Sequence, residues 1–171
     1  MLNQAAARTD LDDLAALLVD AVESGACVGF LKGLALGDAL SFWTLELDRA
    51  DTWVARLVSD GRAVGVVQLQ TPKLSSGGHR AEVAKLLVRR SARGRGVAKA
   101  LMAEVEQQAK VEGRCLLQLD TETGSAAETL YVRPGWQVLG VIPDHAVRPS
   151  GDLVPTTFLF KRLDLIIPPG S

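Results

Sequence analysis

The sequence predicts a mixed α/β (α+β) fold in which one β-sheet carries helices on both faces. Three observations predict it. Apolar residues recur at helical spacing as far as Leu47 and alternate from Thr52 onward. Asp60-Gly61 joins two apolar runs in the manner of a hairpin turn. Strand-like and helix-like stretches then take turns, giving the order ααβββαβαββ.

Each element has a local reason. Thr9-Asp10 reads as a helix N-cap with acidic residues in the first turn, and Leu11, Leu14, Leu18 and Val22 follow at helical spacing up to Ser24-Gly25. Glycine then alternates with apolar residues, and Gly29, Gly33 and Gly37 recur at spacing four, which fits either a loop or a closely packed helical turn. A second helix over 36–50 places Leu40, Trp43 and Leu47 on one face. Strands over 53–58 and 63–69 are joined by Ser59-Asp60-Gly61-Arg62. Gln68 and Gln70 alternate with Val67 and Leu69, which predicts one wet face there, and 72–78 reads as a loop. A strand over 83–88 precedes a helix whose apolar face is Val97, Leu101, Met102, Val105 and Ala109. Next come a strand over 114–119 ending in Asp120, and a short helix that Ser125 can cap and Pro134-Gly135 stops. A strand over 136–142, a loop over 143–152 and a last strand over 154–161 complete the domain.

Composition narrows the function. The 171 residues suffice for one domain with a sizeable core, expected over 1–163, with 164–171 as a loosely held tail. Apolar residues make up 47% of the chain, which excludes disorder. A net charge of −1 argues against a nucleic-acid backbone or an anionic membrane as the main partner. No apolar run reaches spanning length, and the start MLNQAAARTDLDD turns acidic where a secretory signal needs an apolar core, so a cytoplasmic location is expected. Cys27 and Cys115 are too few for a disulfide framework or a zinc site and are expected as reduced thiols. His79 and His145 lie in expected loops and read as surface residues.

The stretch that carries chemistry lies between the strand at 83–88 and the helix that follows. Arg93-Gly94-Arg95-Gly96-Val97-Ala98 joins them, and its glycines let backbone N–H groups approach an anion at a positive helix start. Four arginines, Arg89, Arg90, Arg93 and Arg95, crowd the junction. The dinucleotide fingerprint would need glycine at Lys99, although Asp120 stands close to where its acidic residue would; a Walker loop would need Gly-Lys-Ser/Thr. The remaining reading is a loop for another phosphate-bearing ligand, or a helix start with solvated arginines.

Three stretches carry a family resemblance: Arg93-x-x-Gly96-x-Ala98 opening a helix after a strand, the run from Arg80-Ala-Glu-Val to Ser91-Ala-Arg-Gly-Arg-Gly, and Leu117-Gln-Leu-Asp-Thr-Glu-Thr-Gly-Ser-Ala-Ala-Glu leading to Tyr131. They resemble the GNAT N-acetyltransferase superfamily, and most of all its tabtoxin resistance protein branch, over about half the chain. The resemblance implies a mostly antiparallel sheet with a splayed central strand pair, a first strand within 1–8, acetyl-CoA as cosubstrate and no metal. It implies that the main chain of Leu86, Leu87 and Val88 pairs with the pantetheine arm. The amides of Arg93, Gly94, Arg95, Gly96, Val97 and Ala98 would hold the pyrophosphate. Tyr131 matches the tyrosine that protonates the departing thiolate. Asp120 and Glu82 are two candidates for the base that takes a proton from the amine. In this fold the loop holding His145 often touches acceptor.

Acetyl transfer from a thioester to an amine needs a neutral amine, a polarised carbonyl and a protonated leaving group. A carboxylate suits the first and a phenol the last. Plainer roles exist: Tyr131 as an aromatic packed on the sheet, Asp120 or Glu82 as an edge carboxylate bonded to arginine, Arg89 and Arg90 as solvated charges. Neither cysteine is expected at the site, so the expected reaction is direct transfer in a ternary complex to a primary amine of a small molecule. Glu122 and Glu128 beside Asp120 predict an acidic acceptor end, suited to an amino acid, a toxin or an antibiotic amine, and the branch implies resistance by acetylation. A protein or peptide N-acetyltransferase and a non-catalytic acyl-CoA sensor stand as alternatives, and the apolar tail is suited to cover a second copy in a homodimer.

Overall fold

The computed structural model describes residues 8–132 and 135–164. Its elements are α1 (Leu11–Glu23), α2 (Leu36–Glu46), β1 (Asp51–Arg56), β2 (Ala63–Gln70), β3 (Arg80–Val88), α3 (Val97–Val111), β4 (Leu116–Glu122), α4 (Ala126–Val132), β5 (Gln137–Val147) and β6 (Leu153–Arg162). The strands form one sheet in the order β1-β2-β3-β4-β6-β5. Neighbours run antiparallel except β3 and β4, so both the element order and the mixed, mostly antiparallel sheet are as expected. The strand expected in 1–8 lies outside the described residues except for Arg8, which opens a 3-10 turn, and the tail beyond Asp164 also lies outside them. Among the described residues no helix is long and apolar enough to cross a membrane.

Two apolar layers hold the sheet. On one face α3 sets Leu101, Met102, Val105 and Ala109 against Val67, Leu69, Val83, Leu117 and Leu119. On the other face α1 and α2 set Leu14, Leu17, Leu18, Trp43 and Leu47 against Val54, Val66 and Leu87. Each such leucine contributes about 1.5–3 kcal/mol by leaving water. The second layer reaches only across β1, β2 and β3. Beyond it, Gln118, Asp120, Phe158 and Phe160 line an open groove on β4 and β6.

Four local expectations are corrected. Gln68 is fully buried rather than wet, because the end of α2 lies over it; its amide donates to the Thr52 hydroxyl at 3.2 Å and to the Glu46 carbonyl oxygen at 3.4 Å. Residues 143–147 extend β5 instead of forming a loop. Pro143 lies on the outermost strand, where its missing N–H breaks no inner ladder, and a register shift between Ile142 and Ala146 absorbs it. The helix α2 ends at Glu46 rather than Ala50, and Leu47 still packs in the core. Asp10 starts α1 without a side-chain cap bond; it is buried and ion-paired with Arg56. Ser125 does cap α4, accepting from the Glu128 N–H at 3.2 Å.

Two irregularities of β3 shape the site. Its parallel ladder to β4 runs only from Arg80–Leu116 to Glu82–Gln118, after which the strands part. Against β2, Val66 pairs with Leu87 and Gln68 with Ala84, so two residues of β2 span three of β3. The extra residue is at Lys85, held at φ 52°.

Candidate active site

The parting of β3 from β4 leaves the main chain of 83–88 without a strand partner on the β4 side. Leu86, Leu87 and Val88 lie in this stretch. A backbone amide edge inside a fold needs a partner, and an extended ligand with its own amides can supply one. At the end of the same strand, Gly94 and Gly96 take φ of 75° and 80°, and α3 begins with no side-chain cap on its first turn. A Cβ on Gly96 would meet no protein atom within 4 Å. The approach to the N–H groups of Val97 and Ala98 is therefore open, as an anion site at a helix start requires.

The arginines of the junction do other work. The Arg93 guanidinium donates to the Val88 carbonyl oxygen at 3.2 Å and to the Ser24 hydroxyl at 3.0 Å, tying the turn to the end of α1. Arg90 pairs with Asp20 at 2.7 Å, and Arg89 lies 3.8 Å from Asp13. Sequence reading offered phosphate binding or free solvation for Arg89 and Arg90; they are bound to acids of α1. Arg95 is exposed at the turn.

The groove beside the parted strands encloses about 570 Å³ and is lined by Glu82, Gln118, Asp120, Leu139, Phe158 and Phe160 among others. Asp120 is exposed in it, while Glu82 is half-buried. Burial pushes the Glu82 carboxyl above its ordinary range, and the Asp120 charge pushes it further. Tyr131 is 7% exposed, packed among the residues under α3 and 6.1 Å from the Trp136 ring. Burial, with Asp120 second, drives its hydroxyl far upward, so the phenol stays protonated across the neutral range. The structure thus brings Glu82 and Asp120 together in the groove, while Tyr131 is packed in the layer under α3 and does not line it.

The connector between α1 and α2 meets the β5–β6 turn. Gly25, Gly29 and Gly33 all take positive φ, which explains why their spacing of four does not build a helix. The Lys32 N–H donates to the Pro149 carbonyl oxygen at 2.9 Å, and the Cys27 thiol lies 3.3 Å from the Val147 carbonyl oxygen, so the β5–β6 turn is pinned to the connector. Cys27 lies in this contact and not among the residues that line the groove. Burial and the charges of Glu122 and Asp120 push its thiol up, which keeps it protonated and a poor nucleophile. The acidic end is also smaller than expected. Glu122 is paired with Arg148, and Glu128 accepts from the Gly124 N–H at 2.6 Å and the Thr157 hydroxyl at 2.7 Å. His145 stands in β5, exposed, its ring 5.2 Å from Phe158. Phe158 and Arg162, which also line the groove, were not singled out as site residues from sequence. Among the described residues no group of His, Cys, Asp and Glu is placed to hold a metal.

A sequence model of the acetyltransferase (GNAT) family matches residues 33–136. Among solved structures, the chain is similar to a GCN5-related N-acetyltransferase from Kribbella flavida, at 25% identity over 91% of this chain and 93% of that one, with a TM-score of 0.75. It is also similar to a ribosomal-protein-alanine N-acetyltransferase from Brucella melitensis, at 24% identity over 95% and 100%, with a TM-score of 0.76. A phosphinothricin acetyltransferase from Sinorhizobium meliloti, solved with acetyl-CoA, matches at 18% identity over 91% and 84%, with a TM-score of 0.76. The family match spans more than half of the chain and includes both the parted strand and the glycine turn, so this protein belongs to the GNAT family and is an acetyl-CoA-dependent acetyltransferase.

Proposed function

We propose that the protein transfers acetyl directly from acetyl-CoA to a primary amine of a small molecule, within a ternary complex. The observation that carries this reading is the groove in which Glu82 and Asp120 meet beside the parted β3 and β4. Pantetheine lies along the main chain of Leu86, Leu87 and Val88, and the amides from Arg93 to Ala98 take the pyrophosphate. That delivers the thioester to the groove. Asp120 holds the incoming ammonium, and Glu82, whose raised pKa makes it the stronger base, removes the proton. The neutral amine attacks the thioester carbon. As the C–S bond breaks, the Tyr131 hydroxyl gives its proton to the thiolate, the new amide nitrogen gives its remaining extra proton to the tyrosinate, and Glu82 releases its proton to solvent.

The volume of the groove suits a small acceptor, and its open form keeps a protein or peptide acceptor as the alternative. The tabtoxin-like branch, with resistance to an amine toxin in the cytoplasm as its purpose, is the finer reading that the motif run from Arg80 supports. A thermal shift with acetyl-CoA, CoA and NAD tests the donor side. Stabilisation by the first two alone is expected, about 2.7 kcal/mol at a hundredfold excess over Kd. Thiol release against parallel panels of small amines and peptides tests the acceptor; turnover confined to peptides would reverse the proposal.

A further inference from the structure

β3, β4 and β6 are in register where the groove opens, so their residues fall into rows across the sheet. Arg80, Leu116 and Arg162 stand side by side in the first row, and Glu82, Gln118 and Phe160 in the second. Asp120 and Phe158 make the third. The residues between them, Ala81, Leu117, Leu119 and Leu159, belong to the layer under α3, so all three rows face away from that helix.

The rows give the groove two poles. Glu82 and Asp120 hold one end, beside the parting of the strands. Arg162 lines the other end, two rows from Asp120 and hence about 13 Å away along the strands. Between the poles lie Leu139, Phe158, Phe160 and the Gln118 amide. Arg80 lines a smaller hollow of about 220 Å³ that adjoins the groove at Glu82 and Gln118. It stands across Leu116 from Arg162, about 10 Å away at the spacing of two strands.

The other cations at this end have protein partners. Lys161 turns to the opposite face and pairs with Glu106 at 2.7 Å, and Arg114 lies 3.5 Å from Glu112. Among the described residues no carboxylate lies within ion-pair distance of Arg162 or Arg80, and Arg162 is exposed in the groove.

We infer that Arg162, flanked by Arg80, is the anion end of the acceptor site, so that the preferred substrates are elongated amines with a carboxylate or comparable oxyanion at the end remote from the amino group. The inference rests on the small-molecule reading above. The ammonium goes to Asp120 and Glu82, an apolar chain lies over Phe158 and Phe160, and the oxyanion meets the guanidinium fork. An acid next to the amine, as in an α-amino acid, would lie against two carboxylates and out of reach of Arg162.

The test is thiol release from acetyl-CoA with 4-aminobutanoate, 6-aminohexanoate and 8-aminooctanoate, each compared with its carboxamide and with the n-alkylamine of the same length. At the longer lengths the remote group barely alters the basicity of the amine, so a preference there cannot come from the fraction of neutral amine. The advantage of the acids should grow with length, from none at 4-aminobutanoate to about 10- to 100-fold in kcat/KM at 8-aminooctanoate. Arg162→Met should erase it by raising KM for the acids, Arg162→Lys should return part of it, and Arg80→Met should reduce it. A CoA titration checks that each variant is folded. Equal turnover of acids and comparators at every length overturns the inference and leaves the small-molecule reading standing. So does an advantage already complete at 4-aminobutanoate, or one that survives Arg162→Met, since the acid is then read elsewhere. Absence of release from the whole series overturns the inference together with the small-molecule reading.

Discussion

Asp120 is the residue to which the other titrating groups of the site respond, and its replacement separates the roles of the two carboxylates. In the proposed mechanism Glu82 acts only when ionised, and its pKa is raised, so the acid limb of kcat/KM should lie above the ordinary range for glutamate near 4.3. Removing the Asp120 charge lowers the Glu82 pKa. Asp120→Asn should therefore move the acid limb to lower pH and weaken acceptor binding, whereas Glu82→Gln should abolish the limb and cost about 10²-fold in kcat. A pH-rate profile showing the reverse pattern assigns the base to Asp120. Tyr131→Phe should keep CoA affinity and lower kcat by about 10²-fold, measured by thiol release. These three residues were singled out because they match positions of the family motifs, and the structure places Asp120 inside β4 and not at its end. Sequence reading could not see that Glu128 turns to Gly124 and Thr157, or that Arg93 closes on Ser24, since those partners are set by tertiary contacts.

Among the elements, the start of α3 is controlled from two directions. Gly96 supplies a left-handed turn that costs any other L-residue about 1–2 kcal/mol. Gly96→Ala should remain folded at that cost, because its Cβ would meet no protein atom within 4 Å, yet lose CoA affinity in a calorimetric titration. Gly65 on β2 lies beneath the same helix, and a Cβ there would stand 2.8 Å from Val97 and 3.3 Å from the Leu87 carbonyl oxygen. Gly65→Ala should lower stability by about 1–3 kcal/mol and weaken CoA binding by displacing Val97, readable in a denaturant titration and the same calorimetry. The element order was legible because helical and alternating periods switch sharply at Thr52. The full length of β5 was not. Proline ordinarily ends a strand reading, and only the outer position of β5 in the sheet makes Pro143 tolerable.

Across the whole molecule, the connector and the β5–β6 turn meet through Lys32–Pro149 and Cys27–Val147, and this contact spans sequence separations of more than a hundred residues that no local pattern encodes. The splay between β3 and β4 was likewise illegible from periodicity and came only from family resemblance; its physical signature is a ladder that stops at Glu82–Gln118. One consequence of that short ladder reaches beyond chemistry. The sheet consists of two leaves, β1-β2-β3 and β4-β6-β5, joined along their shared spine by three residue pairs. A ligand laid along the open margin acts as a stitch between them. In the free protein the second leaf should shed hydrogen-exchange protection ahead of the first, and with CoA bound the two should exchange as a single page.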